Sequence, residues 1–195
     1  MLFKSKMAIA LTVIAQAAII SVAGAQTLRI GNQGDALSMD PHSLNESLQL
    51  SVTGNLYEGL TGRGKNLELL PLLATSWKQK SPTVWVFELR KNVQFHDGTP
   101  FTADDVLFSF ARAAGEGSDM KSYTNELKDV RKVGEHTVEF ETKAPFPILP
   151  DVLAFPYIMS KKWSETNQAT KPVDRRKGVE NAASFKANGT GPFRL

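Results

Sequence analysis

The sequence predicts a mixed α/β (α+β) fold. Two segments alternate apolar and polar residues with the period of a strand, TVWVFELRK at 83–91 and VRKVGEHTVEFETKAP at 130–145. A third segment, ADDVLFSFARAA at 103–114, repeats its apolar residues at the spacing of an amphipathic helix. Because turn residues accompany the strand-like segments, we expect antiparallel hairpins with helices between them.

The composition is that of a globular protein that folds without covalent cross-links. The chain has 195 residues, of which 42% are hydrophobic and 22% charged, with 11 phenylalanines available for a core. It contains no cysteine, which excludes disulfides, a cysteine nucleophile and a lipid-modified cysteine. Apolar packing must therefore provide the stability.

The first 25 residues have the three parts of a secretory signal peptide. Two lysines precede an apolar run at 7–22, and an A-x-A cleavage site ends at Ala25. The alternative is an uncleaved membrane anchor, but the run is close to the lower length limit for spanning a bilayer and contains polar residues. We therefore predict a signal peptide over 1–25 and a product that is free in the periplasm, without a lipid anchor.

The charge balance gives no reason to expect a nucleic-acid partner. The chain has 23 basic and 20 acidic residues, and Lys4 and Lys6 belong to the predicted signal peptide. The one dense basic run, DRRKG at 174–178, is explained by a solvated loop. A nucleic-acid surface needs basic residues clustered on one face.

Four elements are predicted ahead of the first hairpin. TLRIGNQG at 27–34 is a strand, and the polar segment 35–47 is a loop. LLPLLA at 69–74 is a short helical turn. Residues 47–60 form a helix ended by Gly59, and its predicted apolar stripe is Leu48, Val52, Leu56 and Leu60.

Aromatic and branched residues mark the inner faces of both hairpins. Strand 76–81 precedes strand 83–91, whose inward residues are predicted to be Trp85, Phe87 and Leu89. The second hairpin turns near Gly134, and its inward residues are predicted to be Val138 and Phe140.

The segment VQFHDGTPFTADDVLFSFARA at 93–113 allows two interpretations. One is a site for metal or acid–base chemistry built from His96, Asp97, Asp104 and Asp105. The other is architectural: Asp97-Gly98 forms a tight turn, Thr102 caps the next helix, and Asp105 completes an acidic variant of the capping box. Turn, cap and periodicity agree, so the architectural interpretation is favoured and only His96 is left without a role.

That helix and the remaining elements follow from the same patterns. Its apolar stripe is predicted to be Ala103, Val106, Leu107, Phe110, Ala111 and Ala114. Residues 146–156 predict a short helix bounded by prolines, 157–160 a strand fragment, and 161–170 the start of another helix. Residues 164–188 have few large apolar side chains and are predicted to be a surface excursion.

The sequence shows no local motif for catalysis, metal binding or phosphate binding. None of its three histidines, His42, His96 and His136, has the spacing of a zinc ligand pair. The G-x-S-x-G motif of serine hydrolases and the glycine-rich loop of nucleotide-binding proteins are both missing from the sequence. We therefore predict no catalytic residue, no metal and no cofactor.

One ordered set of residues extends over the first hairpin and the helix after it. Its members are Trp85, Phe87, Leu89, Arg90, Val93, Phe95, His96, Asp97, Gly98, Phe101, Thr102, Ala103, Asp105 and Val106. This set closely resembles the signature of the family 5 extracellular solute-binding proteins, the peptide-, dipeptide- and nickel-binding components of ABC importers. LSMDPH at 37–42, NLYEGLTG at 55–62 and NGTGPFRL at 188–195 resemble that family as well, so the resemblance covers 27–195.

The resemblance implies part of a two-lobe periplasmic-binding-protein fold, with the second lobe missing from this chain. Residues 26–44 would supply the first strand and loop of lobe I. Residues 45–185 would form an inserted subdomain, and 186–195 the return strand to lobe I.

The resemblance also implies capture rather than catalysis. Two lobes close on a solute by a hinge motion, and the loaded protein docks on an ABC permease in the inner membrane. Peptides are the leading solutes, ahead of nickel chelates, opines or sugars, and the protein is expected to be a monomer. In open α/β sheets, loops after strands usually face the ligand, so the predicted solute contacts are Ser38, Met39, Asp40, Asn45 and Tyr57.

Two other functions stay open from the residues alone. A secreted hydrolase would keep its catalytic groups in a part of the protein outside this chain. A periplasmic binding or chaperone module would bind partners without serving transport.

Overall fold

The computed structural model describes residue 29 and residues 31–195. The predicted signal peptide and residues 27, 28 and 30 of the predicted strand at 27–34 lie outside the described residues. The described residues of that segment, 29 and 31–34, do not form a strand. The helices and strands of the described part all belong to the unit formed by residues 34–195. The predicted loop at 35–47 is confirmed up to the start of the first helix at Ser47.

Short helices and antiparallel strands alternate along this unit. The α-helices are α1 Ser47–Thr53, α2 Ala103–Ala114, α3 Leu149–Val152 and α4 Lys161–Thr166. The strands are β1 Thr61–Arg63, β2 Leu69–Pro71, β3 Ala74–Ser81, β4 Val84–Leu89, β5 Leu127–Gly134 and β6 Thr137–Thr142. Single 3₁₀ turns lie at Lys121–Tyr123, Arg175–Lys177 and Ala182–Ser184.

The strands form two antiparallel sheets. β1 and β2 pair as a small hairpin, and the other four strands form one sheet in the order β3-β4-β6-β5. In the larger sheet Trp85 of β4 lies opposite Phe140 of β6. Both hairpins predicted from the alternation are confirmed.

Helix α2 packs on one face of the larger sheet through aromatic side chains. The ring of Phe140 makes edge-to-face contacts with Phe87 at 5.4 Å and with Phe110 of α2 at 4.9 Å. The predicted inward residues Phe87, Leu89 and Val138 are buried as well, and Trp85 is partly buried against them. The opposite face is charged, with Arg131 bonded to Glu139 and Glu141.

The start of α2 confirms the capping box. Thr102 Oγ1 accepts a hydrogen bond from the Asp104 amide at 3.3 Å, and Asp105 accepts one from the Thr102 amide at 2.9 Å. The predicted apolar stripe is right for Ala103, Val106 and Phe110 but wrong for Ala111 and Ala114, which are exposed. The buried side is rotated toward Arg112 and Ala113 because Arg112 is bonded to the loop before α1.

The predicted helix at 47–60 is shorter than expected, and its predicted apolar stripe is right only for Leu56 and Leu60, which are buried beyond the end of the helix. α1 ends at Thr53, and its buried residues are Gln49 and Thr53 rather than Leu48 and Val52. The Gln49 side chain donates to the carbonyl of Ser38, and Thr53 Oγ1 donates to the carbonyl of Gln49. Polar bonding to the preceding loop therefore decides which face of α1 turns inward.

LLPLLA at 69–74 is a strand region, so the predicted helical turn is wrong. Residues 69–71 form β2, which pairs with β1 across a tight turn in which the Gly64 amide donates to the carbonyl of Glu68 at 2.8 Å. Leu67 adopts a left-handed φ of 65° in this turn. A short apolar run does not distinguish a helix from a strand by its periodicity.

Two predictions near the C-terminal end also need correction. Residues 157–160 do not form a strand, although the Ile158 amide donates to the carbonyl of Glu58 at 2.9 Å. The segment 164–188 is not simply a surface excursion, since Ala169, Ala183 and Ser184 are buried. These small side chains allow close backbone packing, which a search for large apolar residues misses. The predicted short helices in 146–156 and 161–170 are confirmed as α3 and α4.

Within the described part of the chain, every helix is too short or too polar to span a bilayer.

Candidate functional site

A buried cluster of charged side chains joins the loop before α1 to the last turn of α2. The guanidinium of Arg112 donates to both carboxylate oxygens of Asp40, at 2.7 and 2.6 Å. Its other hydrogen-bonding partners are the ring of His42 at 3.0 Å and the carbonyls of Ala169 at 3.1 Å and Lys171 at 3.2 Å. A guanidinium has five N–H groups, so these five acceptors use all of them.

The hydrogen bonds of His42 fix its tautomer. Arg112 can only donate, so His42 Nδ1 accepts, and His42 Nε2 carries the hydrogen and donates to the carbonyl of Tyr157 at 2.9 Å. Burial and the positive charge of Arg112 lower the pKa of His42 from 6.5 to about 4, against the opposing effect of Asp40. Burial alone would raise the pKa of Asp40, but the hydrogen bonds and charge of Arg112 lower it overall. The cluster therefore holds one anion, one cation and a neutral imidazole.

Three of the five predicted solute contacts are buried in this region. The Ser38 hydroxyl accepts from the Asp40 amide at 3.1 Å, and the Asp40 carboxylate is bonded as described above. Tyr57 is 1% exposed, and burial raises the pKa of its hydroxyl. Met39 is half-buried, and its amide donates to the carbonyl of Ser184 at 3.0 Å.

The fifth predicted contact, Asn45, belongs to a more accessible group. Tyr123 donates its hydroxyl hydrogen to Asn45 Oδ1 at 3.3 Å, and the Tyr123 ring stacks on Phe155 at 4.8 Å with an angle of 16° between the planes. Phe155 is 36% exposed, and Asn45 and Tyr123 are half-buried. We call Asn45, Tyr123 and Phe155 the aromatic wall.

A cavity of about 390 Å³ lies against Phe155. Its lining also includes Tyr57, Tyr157 and Pro192, together with the charged residues Glu58 and Arg63. Glu58 is paired with Arg90 at 2.9 Å, and Arg63 with Asp151 at 2.6 Å. The cavity thus combines aromatic surface with charges that already have partners. A larger cavity, of about 590 Å³, lies between α2 and residues 170–179 and contains none of the predicted contacts.

His96-Asp97-Gly98, which we call the HDG segment, and the two aspartates at 104 and 105 make structural contacts through their polar side chains. Asp97 accepts from the amide of Thr99 at 2.9 Å, and Asp104 pairs with Lys132 at 2.6 Å. Asp105 completes the cap and also accepts from the Lys161 amide at 2.9 Å. His96, the residue left without a role, bonds through Nε2 to the carbonyl of Gly191 at 2.8 Å. The four side chains have separate structural partners and do not converge on one point, which is the arrangement of a scaffold.

Sequence reasoning missed Arg112, Tyr123 and Phe155. Arg112 lies in a helix whose apolar spacing gave no reason to bury a cation. Tyr123 and Phe155 come from a 3₁₀ turn and from the residues after α3, so only the folded chain brings them to Asn45. No pattern in the sequence pointed to either of them.

Comparison with known families decides the assignment. A sequence model described as bacterial extracellular solute-binding proteins, family 5, middle region, matches residues 68–195. The chain belongs to this family.

Two similar proteins agree with membership of family 5. The periplasmic oligopeptide-binding protein OppA of Escherichia coli is 29% identical over 156 residues, which cover 70% of this chain and 29% of that protein. The glutathione-binding protein GsiB of Pectobacterium atrosepticum is 31% identical over 162 residues, covering 81% of this chain and 29% of that protein.

Solved structures show the same fold. The periplasmic binding protein DppA of Helicobacter pylori in complex with a peptide has a TM-score of 0.69 and 28% identity, covering 82% of this chain and 34% of that one. NikZ of Campylobacter jejuni in complex with Ni(L-His) has a TM-score of 0.69 and 24% identity, covering 83% and 31%. The mixed α/β fold is therefore that of periplasmic binding proteins, and the chain spans about a third or less of the length of these relatives.

Proposed function

We propose that this chain is part of the periplasmic solute-binding component of an ABC importer, which captures peptides or a similar small solute and delivers it to a membrane permease. The observation that carries the proposal is the family match over residues 68–195. It is supported by relatives named for binding oligopeptides and glutathione and by a structural neighbour with a bound peptide. The proposed location is the periplasm, and the proposed working state is a monomer that closes on its solute by a hinge motion.

The contacts of the acidic and basic side chains agree with a protein that binds a solute without catalysing a reaction. Asp40, Asp97, Asp104 and Asp105 each have a partner within the chain, as structural roles for these carboxylates require. His42 is buried and neutral between Arg112 and a carbonyl. From membership of a family of solute-binding proteins we infer that the protein is not an enzyme.

The aromatic wall is the proposed solute-facing part of this chain. Tyr123 and Phe155 offer flat apolar surface, and Asn45 places an amide beside it that donates and accepts hydrogen bonds. A peptide offers backbone amides and side chains that match both kinds of contact. Of the predicted contacts, Asn45 keeps a direct solute role in this proposal and Met39 an adjacent one. Ser38, Asp40 and Tyr57 support the loop from inside.

Ligand recovery from the purified protein tests the proposal. The full-length gene product is expressed with its leader, purified from the periplasmic fraction, denatured and analysed by mass spectrometry for small molecules released from it. We expect a peptide or similar small solute in near-stoichiometric amount in the wild type. The double variant Tyr123→Ala/Phe155→Ala lacks both rings of the aromatic wall and is expected to lose most of the bound solute. A protein that retains no solute, and binds none from a peptide mixture, contradicts the proposal.

A further inference from the structure

A second part of the chain is held in place by the HDG segment. His96 and Asp97 face residues 188–191, more than 90 positions later in the sequence. The His96 amide donates to the carbonyl of Gly189 at 2.9 Å, and the His96 ring bonds through Nε2 to the carbonyl of Gly191 at 2.8 Å. The Asp97 amide donates to Asn188 Oδ1 at 2.9 Å. Three hydrogen bonds therefore join this turn to one short segment.

The same segment pairs on its other side with the residues after α1. The Gly191 amide donates to the carbonyl of Leu56 at 3.0 Å, and the Phe193 amide donates to the carbonyl of Asn55 at 3.1 Å. Residues 188–193, which we call the return segment, thus lie between the HDG segment and residues 55–57. This double contact fixes both the register and the direction of the return segment.

Glycine is required where the return segment passes closest to its neighbour. A Cβ on Gly191 would lie 2.6 Å from the carbonyl carbon of Leu56 and 2.7 Å from the carbonyl oxygen of Asn55. A Cβ on Gly189 would lie 2.8 Å from the ring of Tyr57 and closer still to the carbonyl oxygen of Leu56. Because the obstacles are mostly backbone atoms, they cannot move aside at low cost. Gly189 and Gly191 therefore allow the segment to lie directly against residues 55–57, a position that a larger residue would prevent.

The His96 contact is specific in the ring atom that it uses. Nε2 makes the hydrogen bond to Gly191, whereas Nδ1 is buried and has no hydrogen-bond partner in the described part of the chain. Only a side chain that places a donor at the Nε2 position can therefore make this contact. Glutamine places its amide nitrogen near that position, and asparagine places it near Nδ1.

We propose that His96 is a positioning residue: together with Asp97 it forms a clasp that seats the return segment on residues 55–57, and this seating is needed for solute capture. Once seated, the segment keeps Gly189 against the ring of Tyr57 and Pro192 in the wall of the cavity beside Phe155. The effect on capture rests on the proposed function, but the seating itself does not. The clasp gives the side chain of His96 a task that is neither metal binding nor acid–base catalysis, while Asp97 contributes its backbone amide.

Hydrogen exchange in the full-length gene product tests the seating. In His96→Ala we expect the amides of Gly191 and Phe193 to exchange about five- to tenfold faster, as the loss of one net hydrogen bond implies, with exchange in β4 and β6 unchanged. His96→Gln is expected to restore slow exchange, and His96→Asn is expected to behave like alanine. His136→Ala removes another half-buried histidine and serves as the control.

Several outcomes would overturn the clasp. Unchanged exchange at Gly191 in His96→Ala does so, as does equal rescue by glutamine and asparagine, or faster exchange throughout β4 and β6. If His96→Ala does not fold, the comparison of His96→Gln with His96→Asn still decides between a specific Nε2 contact and simple packing.

Solute retention, measured on the same proteins by mass spectrometry, tests the link to capture. We expect retention to follow the exchange data, near wild type in His96→Gln and several-fold lower in His96→Asn. Altered exchange with full retention would overturn the role in capture. If the wild type also retains no solute, the proposed function fails, while the exchange data still judge the clasp on their own.

Discussion

The guanidinium of Arg112 lies 2.6 Å from the carboxylate of Asp40, and neither side chain is exposed. The pair ties the loop before α1 to the last turn of α2, 72 residues away in the sequence. The loop carries four of the five predicted solute contacts, Ser38, Met39, Asp40 and Asn45. Its position relative to the larger sheet is therefore set by a buried ion pair rather than by apolar packing alone.

Breaking this pair on one side should destabilise the fold strongly. Arg112→Met leaves the carboxylate of Asp40 buried without its cation, and we expect a loss of about 3–5 kcal/mol in the free energy of unfolding. Urea titration followed by tryptophan fluorescence measures it. Lys132→Met is the matched control, because its partner Asp104 is half-exposed and the pair should contribute no more than about 1 kcal/mol. Equal effects of the two substitutions would contradict the structural role of the buried pair.

Stability should fall in mild acid because of His42. Its pKa is about 4 in the folded protein against 6.5 when unfolded, so between these values the unfolded chain binds more protons. The free energy of unfolding should therefore decrease as the pH falls from 6.5 to 4, by up to about 3 kcal/mol from this group. Urea titrations across that range check the slope. His42→Gln should flatten it, and an unchanged slope in that variant would show that other groups are responsible.

The capping box of α2 should contribute to the stability of the fold. Thr102→Ala removes the acceptor for the Asp104 amide and is expected to cost about 1 kcal/mol. Thr102→Ser keeps the hydroxyl and should lie within a few tenths of a kcal/mol of the wild type. Thermal melting compares the three proteins. A wild-type melting temperature in Thr102→Ala would mean that the cap contributes nothing.

A single methyl group added at Gly191 of the return segment should destabilise the fold. Gly191→Ala forces the segment away from Leu56 and is expected to cost about 1–3 kcal/mol in the free energy of unfolding. Gly134→Ala is the matched control, since its added Cβ would meet only Thr137 at ordinary contact distances of 3.6 and 3.7 Å. A chemical denaturation series on both variants measures the difference. Similar stability for the two would show that the close approach is not required.

The aromatic wall should contribute to solute affinity more than to stability. Phe155→Ala and Tyr123→Ala each remove one ring of a stacked pair, and we expect about a three- to tenfold loss of affinity for the captured solute. Tyr123→Phe should retain the stacking and lose only the hydrogen bond to Asn45. Isothermal titration calorimetry with the full-length gene product is the measurement. Phe185→Ala is the control, since Phe185 is 61% exposed and follows the 3₁₀ turn at 182–184. The same loss in the control would remove the case for a specific wall.

The elements governed by local rules could be predicted from the sequence. The two hairpins and helix α2 each combine a clear period with turn or cap residues, such as Thr102 and Asp105, so several signals agreed. LLPLLA at 69–74 and the residues at 157–160 lacked that agreement, because short apolar runs suit either kind of element. The predicted buried face of helix α1 was wrong for another reason, because the hydrogen bond from Gln49 to the carbonyl of Ser38 turns a polar face inward.

The candidate site was less predictable because its contacts are distant in sequence. The resemblance pointed to the loop at 37–42, but nothing local indicated that Arg112 would bind Asp40 there. Tyr123 and Phe155 reach Asn45 only through the packing of the elements that carry them. His96 shows the same limit, since its partner Gly191 is 95 positions away.

We propose that the protein holds a solute and releases it unaltered. The most direct measurement incubates the full-length gene product with the solute recovered from it, separates free from bound, and quantifies the released molecule by mass spectrometry over time. We expect saturable binding and complete recovery of the intact solute, in the wild type and in Asp104→Asn and Asp105→Asn alike. Time-dependent conversion of the solute, abolished in either aspartate variant while its melting temperature stays at the wild-type value, would contradict it.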